Sequence, residues 1–264
     1  MKFAGIIAEY DPFHNGHAWQ LAQAKALGAE RVAVAMSCSL VQRGALPLLP
    51  EAVRTRSALT CGADLVFALP APCACAGAEA FARAGVALLA AAGCDGLVFG
   101  AETPDAALLM EAAELLDSDS YRAALKAQLA GGARSFAAAR QAAAAQLASD
   151  ERVAALLDKP NNNLAVEYCR AIRSLAPRME AYPLPRQGAD HGEALHSAHG
   201  QFASASALRK LWAEGGADAV APYVPEAVFP LYQEAYAAGQ YTDFSAAGRC
   251  ELALLRSACR GKPP

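Results

Sequence analysis

The sequence predicts a doubly wound α/β fold, in which helices cover both faces of a parallel sheet. Two observations indicate it. Apolar runs of six or seven residues, without the polar alternation of a half-exposed strand, recur along the chain, and stretches of helical periodicity separate them. Right-handed crossovers through those helices would then bring the strands side by side in one sheet.

The apolar runs and the helical periodicity give the order of the elements. Strands are expected at residues 3–8, 31–37, 63–69, 96–102 and 179–184. Helices are expected at residues 18–27, 50–61 and 76–92, and the whole of residues 105–175 has a helical pattern. After the fifth strand we expect a polar loop over residues 185–200, a helix over 202–213, and two or three short helices to the end.

The composition excludes several classes of protein. A net charge of −3 argues against a generally basic surface that coats nucleic acid, although a local RNA-binding patch remains compatible with it. Uncharged apolar stretches such as residues 84–94 are shorter than the ~18 residues of a membrane helix, and the N-terminus does not resemble a signal peptide. The eight cysteines are scattered, which favours reduced thiols in a cytoplasmic protein.

The first candidate site follows the first strand. The chain breaks at Asp11-Pro12, and His14-Asn15-Gly16-His17 then leads into the first helix. Free N–H groups at a helix N-terminus attract an anion such as phosphate, and Gly16 would let it approach the backbone. The two imidazoles can donate hydrogen bonds to phosphate oxygens as charge builds up in a transition state.

Two other interpretations of this histidine pair are considered. The rings could cap the helix, or they could ligate a metal ion from one side of its first turn. No acidic or cysteine partner stands at helical spacing nearby, so no metal ligand is assigned.

Further candidates follow the later strands, because ligands of parallel sheets bind at the carboxyl ends of the strands. Arg43 could clamp a phosphate, although it could equally be a solvated surface residue. Gly100 could admit an adenine or a ribose, or could simply serve a turn. The three asparagines after Pro160 exceed the one that a helix cap needs, and an amide suits an adenine edge or a ribose hydroxyl. Arg186 follows the fifth strand.

A second phosphate-binding signal lies downstream, at Ser204-Ala205-Ser206-Ala207-Leu208-Arg209. Ser204 can cap a helix, and Ser206 and Arg209 then stand beside free N–H groups that suit the β- and γ-phosphates of a nucleotide. A capped surface helix with basic residues is the alternative.

Taken in chain order, these segments resemble a single family. The matching residues are 9–17, 41–44, 62–66, 69–70, Glu79, 81–82, 99–102, 160–162, 167–168 and 204–209. The family is the bacterial tRNA(Met) cytidine acetate ligase, which belongs to the nucleotidyltransferase superfamily with a His-x-Gly-His-type signature.

The resemblance implies a two-step reaction. Acetate would attack the α-phosphate of ATP to give acetyl-adenylate and pyrophosphate, and the wobble cytidine of elongator tRNA(Met) would then take the acetyl group to become N4-acetylcytidine. His14 and His17 would be the catalytic residues, and Mg²⁺ can assist as a phosphate counter-ion. The ATP-binding residues so implied are Ile7, Ala8, Glu9, Tyr10, Asp11, Pro12, Phe13, His14, Asn15, Gly16, His17, Ala18, Trp19, Gln20, Gly100, Asn162, Arg186 and Gln187.

The resemblance also implies a domain organisation. Residues 1–215 would form the nucleotidyltransferase-like ATP-binding domain, with the helical insertion at about 105–175. Residues 216–264 would begin a helical C-terminal region that we expect to be incomplete, because the family carries more chain there.

The chain departs from the family at three places. Asp11 stands where Asn is usual, Cys38-Ser39-Leu40 replaces a Gly-Asn-Phe run, and Glu51-Ala52 replaces Lys-Trp. Glu51 reverses a charge near the expected phosphate loop and, with the shortened C-terminal region, leaves open a non-catalytic nucleotide- or RNA-binding protein. Among enzymes, an adenylyltransferase with another small acceptor is the alternative. Nothing in the sequence indicates an oligomeric state or a selectivity for acetate.

Overall fold

A computed structural model of the chain describes residues 1–186, 195–197 and 200–259. Five strands form one parallel sheet in the order β3-β2-β1-β4-β5, which confirms the predicted doubly wound α/β fold. The strands are β1 (Phe3–Ala8), β2 (Arg31–Ser37), β3 (Leu65–Leu69), β4 (Gly96–Ala101) and β5 (Glu180–Pro185). Because all five run the same way, their carboxyl ends meet along one edge of the sheet.

Helices connect the strands. They are α1 (Asn15–Ala26), α2 (Glu51–Thr60), α3 (Ala71–Ala74) and α4 (Ala78–Ala91) before β4, and α5 (Ala106–Asp117), α6 (Asp119–Ala130), α7 (Phe136–Leu147), α8 (Glu151–Leu156) and α9 (Pro160–Leu175) between β4 and β5. A two-stranded hairpin of β6 (Leu195–Ser197) and β7 (Gly200–Phe202) follows, and then α10 (Ala205–Ala219), α11 (Phe229–Ala237) and α12 (Phe244–Cys259). None of the helices in the described ranges is both long and apolar enough to cross a membrane.

Two apolar cores cover the two faces of the sheet. On one face, α4, α5 and α9 pack on the strands, with Leu89, Leu97 and Ile172 almost fully buried. On the other face, α1, α10 and α11 pack around residues such as Ile6 and Tyr232. This double coverage explains why the strands are apolar throughout.

Helix α4 approaches β1 closely because it carries Gly85. A Cβ atom there would lie 2.5 Å from Cδ1 of Ile7, so a larger residue would force Ile7 or the helix to shift. Phe81, on the first turn of α4, is thereby held beside Ile7 and Ala8 at the carboxyl end of β1.

A buried carboxylate fixes α9 within the helical layer. Glu167 is 2% exposed and accepts from Arg140 on α7 and Arg170 on its own helix, both at 2.7 Å. Arg170 also donates to Asp117 at the end of α5, at 2.8 Å. The network satisfies a charge that would be costly to bury alone.

Two local predictions were wrong, and the capping alternative for the asparagines does not hold. Residues 185–200, predicted as a polar loop, include β6 and the start of β7, and the helix predicted from residue 202 begins at Ala205 because Ser204 caps it. Helix α9 has Lys159 at its N-cap and Pro160 at its first position, so none of the three asparagines is the cap. The fixed φ of proline suits that first position.

Arg54 on α2 is completely buried and joins three segments at the carboxyl edge of the sheet. Its guanidinium donates to the carbonyls of Glu9 at 2.7 Å, Ser37 at 2.6 Å and Leu49 at 3.0 Å, and also to that of Cys38. These carbonyls follow β1, end β2 and precede α2, so one side chain fixes the loops that extend from two adjacent strands.

Replacement of Arg54 by methionine should lower the free energy of unfolding by about 3 kcal/mol or more, because several buried carbonyls lose a charged donor. Denaturant-induced unfolding measures the loss. The matched control is Arg56→Met on the same helix, whose side chain is 60% exposed and lies 3.8 Å from Glu234. That change should stay within about 0.5 kcal/mol. Equal losses for the two variants would contradict the role of Arg54.

Candidate active site

A cleft of about 310 Å³ opens at the carboxyl ends of β1, β4 and β5, where the sequence placed the candidate residues. An adjoining lobe of about 250 Å³ shares Ile7, His17, Gln20 and Arg186 with it. The predicted residues that line the cleft are Ile7, His14, Gly16, His17, Trp19, Gln20, Gly100, Arg186 and Ser204, and those that line the lobe alone are Ala8, Glu9, Tyr10 and Asp11.

Other predicted residues lie elsewhere. Pro12, Phe13, Asn15, Ala18, Asn162, Ser206 and Arg209 line neither the cleft nor the lobe. Gln187 and the side chain of Arg43 lie outside the described part of the structure. The backbone of Arg43 belongs to a short 3-10 turn, Gln42–Gly44, after β2.

The loop between β1 and α1 is held by buried aromatic residues. Tyr10 has a left-handed backbone (φ 50°), and its ring packs edge-on against Phe13 and His17 at centroid distances of 4.9 and 4.8 Å. Tyr232 on α11 donates to the carbonyl of Phe13 at 2.7 Å. A non-glycine residue in this conformation costs about 1 kcal/mol or more, which the surrounding packing must offset.

The two histidines of the motif cap α1 together. Nδ1 of His14 accepts from the backbone N–H of Gly16 at 3.1 Å, and Nδ1 of His17 accepts from the backbone N–H of His14 at 3.3 Å. The rings are stacked with centroids 3.7 Å apart and planes 23° apart. Because both Nδ1 atoms accept, each neutral ring carries its proton on Nε2, and this N–H is the donor it can offer to a ligand.

The surroundings keep both rings neutral. Burial, and then the positive charge of Arg186, lowers the pKa of His14 to about 3. Burial, followed by the charges of His14 and Arg186, lowers the pKa of His17 well below its ordinary value. The helix-capping interpretation of the pair is therefore correct, and it also leaves two N–H donors at the cleft.

Gly16 serves this stack. A Cβ atom at residue 16 would lie 2.9 Å from Cε1 of His14, so a side chain would displace the ring. At the opposite wall, a Cβ atom on Gly100 would approach Cγ of Arg186 at 3.4 Å, and Gln20 donates to the carbonyl of Val98 at 3.1 Å. Small residues thus bring both the histidines and Arg186 close to the cleft.

Arg186 is held in place by a hydrogen-bond relay, in which Glu102 just after β4 binds Asn161 and Asn161 binds Arg186. Its guanidinium donates to Oδ1 of Asn161, and Nδ2 of Asn161 donates to Oε1 of Glu102 at 2.6 Å. Glu102 also accepts the backbone N–H of Asn161 at 3.2 Å and that of Asn162 at 2.6 Å, so the carboxylate occupies the N-terminus of α9. These bonds outweigh partial burial and lower the pKa of Glu102.

Asn162 faces away from the cleft. It is 1% exposed, and its amide bonds Thr103 twice, from Nδ2 to Oγ1 at 3.1 Å and from the Thr103 N–H to Oδ1 at 2.9 Å. Its neighbour Asn161 lines the cleft instead. The sequence pattern did not separate the two, although both follow the proline that opens α9.

The residues of the second predicted phosphate-binding segment, Ser204, Ser206 and Arg209, lie in different places in the structure. Ser204 caps α10, as predicted, and lines the cleft, whereas Ser206 is exposed and bonds Ser204 Oγ at 3.1 Å. Arg209 turns to the first loop, where it donates to the backbone carbonyl of Asp11 at 2.7 Å and to its Oδ2 at 3.1 Å. Arg209 thereby stabilises the loop that carries the histidines.

Glu51, where the chain departs from the family pattern, lines neither the cleft nor the lobe. It starts α2 and lies beside Cys38, whose pKa rises to about 11 through burial and the neighbouring Glu51 carboxylate. The negative charge of Glu51 therefore lies beside the thiol of Cys38 and not at the cleft.

Sequence reasoning did not assign several residues of this site. Tyr168 and Leu164 on α9 line both the cleft and the lobe, and Phe81 lines the lobe. Phe81 and Tyr168 fall in segments that match the family, but each of the three residues stands on the apolar face of a helix, where a site residue looks like a core residue. Within the described ranges, no group of three or more His, Cys, Asp or Glu side chains could hold a metal ion.

Relatives of known name share most of this chain. A tRNA(Met) cytidine acetate ligase of Syntrophotalea carbinolica is 41% identical over 218 residues, which is 81% of this chain and 52% of that protein. One of Caldanaerobacter subterraneus subsp. tengcongensis is 35% identical over 244 residues, 91% of this chain and 60% of that protein. The chain therefore spans between half and two thirds of the length of these curated relatives.

Solved structures of similar proteins also match most of this chain and a little more than half of their own length. Thermotoga maritima TmcAL bound with alpha-thio ATP superposes with a TM-score of 0.81 at 30% identity, over 91% of this chain and 57% of that one. Its apo form gives a TM-score of 0.83 at 32% identity, over 91% and 58%. The family model described as HIGH Nucleotidyl Transferase matches residues 1–257. Together with the histidine pair that caps α1 at the carboxyl edge of a parallel sheet, this match establishes that the chain belongs to the HIGH nucleotidyl transferase family.

Proposed function

We propose that this chain activates acetate with ATP and acetylates the wobble cytidine of elongator tRNA(Met). The observation that carries the proposal is the stacked histidine pair, which offers two neutral Nε2–H donors at the cleft. The names of the relatives, tRNA(Met) cytidine acetate ligase, supply the acceptor and the acid. The bound alpha-thio ATP of the Thermotoga maritima protein supports ATP as the nucleotide.

In the first step, ATP lies in the cleft with its phosphates toward the N-terminus of α1. An acetate oxygen attacks the α-phosphorus, and the bond to pyrophosphate breaks. Charge builds up on the non-bridging and leaving oxygens, where the donors of His14 and His17 strengthen their hydrogen bonds. Neutral imidazoles donate without giving up a proton, and Arg186 beside them contributes the positive charge.

Two further proposals concern Mg²⁺ and the cellular compartment, and they have separate grounds. We propose that Mg²⁺ enters with ATP, held mainly by phosphate oxygens and water, since no carboxylate cage occurs in the described ranges. A cytoplasmic location is supported by the free state of the seven cysteines whose pairing the structure describes.

ATP–pyrophosphate exchange tests the first step. Wild-type protein should exchange labelled pyrophosphate into ATP only when acetate is present. His17→Ala and His14→Ala should each lower the rate by ~10²–10³, because each removes one transition-state donor. Lys126→Ala on α6 is the control and should exchange like the wild type.

Two other results of this assay point to other functions. Exchange that needs a different small acceptor would indicate an adenylyltransferase. ATP binding without any exchange in folded protein would indicate a non-catalytic nucleotide-binding module.

The protonation of the histidines can be measured directly. Long-range ¹H–¹⁵N spectra should give the neutral Nε2–H tautomer for both rings from pH 7 down to pH 5, because burial lowers the pKa of each. An imidazolium spectrum for either ring at pH 6 would exclude the neutral-donor mechanism.

The same shifts predict how stability depends on pH. The unfolded state takes up protons first, so the contribution of the pair is complete above about pH 6.5 and is lost as the pH falls toward the folded-state pKa values. His14→Asn keeps a capping side chain. This variant should therefore lose less stability than the wild type between pH 7 and pH 5, as measured by denaturant-induced unfolding at each pH.

The relay behind Arg186 predicts an effect on ATP affinity. Asn161→Ala should raise the Kd for ATP about tenfold, since a hydrogen bond to a charged group contributes ~1.5 kcal/mol and the guanidinium loses its fixed position. The control on the same turn is Asn163→Ala, whose amide donates to the carbonyls of Leu157 and Lys159. Titration calorimetry with ATP compares them, and equal affinities would show that the relay does not orient Arg186.

A further inference from the structure

The lobe beside the histidines has a polar wall that the activation of acetate does not use. It is lined on one side by the end of β1 and the following loop, with Glu9, Tyr10 and Asp11, and on the other by Phe81 and Tyr168. His17 and Arg186 stand at its junction with the cleft. A group in this lobe therefore lies next to the place where the α-phosphate is activated.

Two carboxylates line the lobe, and their bonds differ. Asp11 is engaged at both oxygens, because Oδ1 accepts from the Leu48 N–H at 2.6 Å and Oδ2 from Arg209 at 3.1 Å. Glu9 accepts from the Gln42 N–H at 2.5 Å through Oε1. No hydrogen bond from the described residues reaches Oε2 of Glu9, which leaves this oxygen able to take a proton.

The carboxylate of Glu9 is held in place from behind. Its backbone carbonyl accepts from the buried Arg54 at 2.7 Å, and its Oε1 bond fixes the rotation of the carboxyl group. The charged and titratable groups that face it are Asp11 on the same loop, Arg54 on α2, Arg209 on α10 and Tyr168 on α9. Burial, more than the charge of Asp11, raises the pKa of Glu9, and the Gln42 hydrogen bond with the two arginines opposes that rise.

We infer that Glu9 is the general base of the acyl-transfer step and that the lobe receives the cytosine amine. This inference rests on the proposed function and deepens it. The N4 lone pair attacks the carbonyl carbon of acetyl-adenylate, and the N–C bond forms. The bond from that carbon to the phosphate oxygen breaks, and its electron pair leaves with AMP. The N4 proton passes to Oε2 of Glu9, which later releases it to solvent.

The chemistry of the two steps explains why such a base is needed only once. Acetate attacks as an anion and has no proton to lose. The exocyclic amine of cytosine is a weak nucleophile that must lose a proton as the amide forms. A carboxylate with a raised pKa is a better base for this purpose, and a positioned base typically contributes 10²–10⁴ in rate.

The test separates the two steps in one protein. Glu9→Gln keeps an oxygen to accept from the Gln42 N–H but cannot take a proton. Acetate-dependent pyrophosphate exchange should persist in this variant and should fall far less than transfer does, and its persistence also establishes that the variant folds. Acetyl transfer from ATP and labelled acetate to a tRNA(Met) transcript should fall at least ~10²-fold. Glu30→Gln is the carboxylate control, exposed just before β2 at the opposite edge of the sheet.

A pH profile of single-turnover transfer gives a second readout. The wild-type rate should rise with pH as Glu9 loses its proton, and the residual rate of Glu9→Gln should not follow this rise. Glu9→Asp, which keeps a carboxylate on a shorter side chain, should recover part of the transfer activity.

Each other outcome overturns the inference. Undiminished transfer by Glu9→Gln means that Glu9 takes no proton, and equal loss of exchange and transfer means that it acts on ATP or on the fold. A wild-type chain that exchanges pyrophosphate but transfers no acetyl group has no amine step for Glu9 to serve. Absence of exchange in the wild type contradicts the proposed function itself and is recognised separately.

Discussion

The carboxyl edge of the sheet depends on one buried cation. Arg54 reaches the carbonyls that follow β1, end β2 and precede α2, and it does so from a completely buried position. A buried guanidinium without such acceptors would be far too costly, and carbonyls in such a place need a donor. The two requirements satisfy each other, and the result is a rigid base for the loop that presents Glu9 and the histidines.

The site built on this base uses each helix N-terminus differently. At α1, two imidazoles supply the caps and keep their outer N–H groups for a ligand. At α9, Glu102 takes the N–H groups of the first turn and passes its orientation through Asn161 to Arg186. The helix termini thus position the side chains of His14, His17 and Arg186, all of which line the cleft.

Much of the fold could be predicted because its signals are local. β1 and β2 have the predicted bounds, since an apolar run bordered by polar residues leaves little choice. The contacts of single side chains could not be predicted in this way. Asn161 and Asn162 are adjacent, yet a helix turns about 100° between them, so one reaches the cleft and the other Thr103. The partner of Arg209, Asp11, is 198 positions away, and no sequence spacing encodes such a pair.

His14 and His17 serve both the stability of α1, which they cap, and the proposed chemistry, and this double role constrains how the two positions can change in evolution. A descendant that lost its activity could not drift freely at these positions, because α1 would lose the acceptors of its first N–H groups. Selection for stability alone would admit Ser, Thr, Asp or Asn at the cap and would disfavour apolar residues there. A histidine at residue 14 is therefore a weaker sign of retained catalysis than the pair together with Gly16, where a side chain would displace the ring of His14 from the stack.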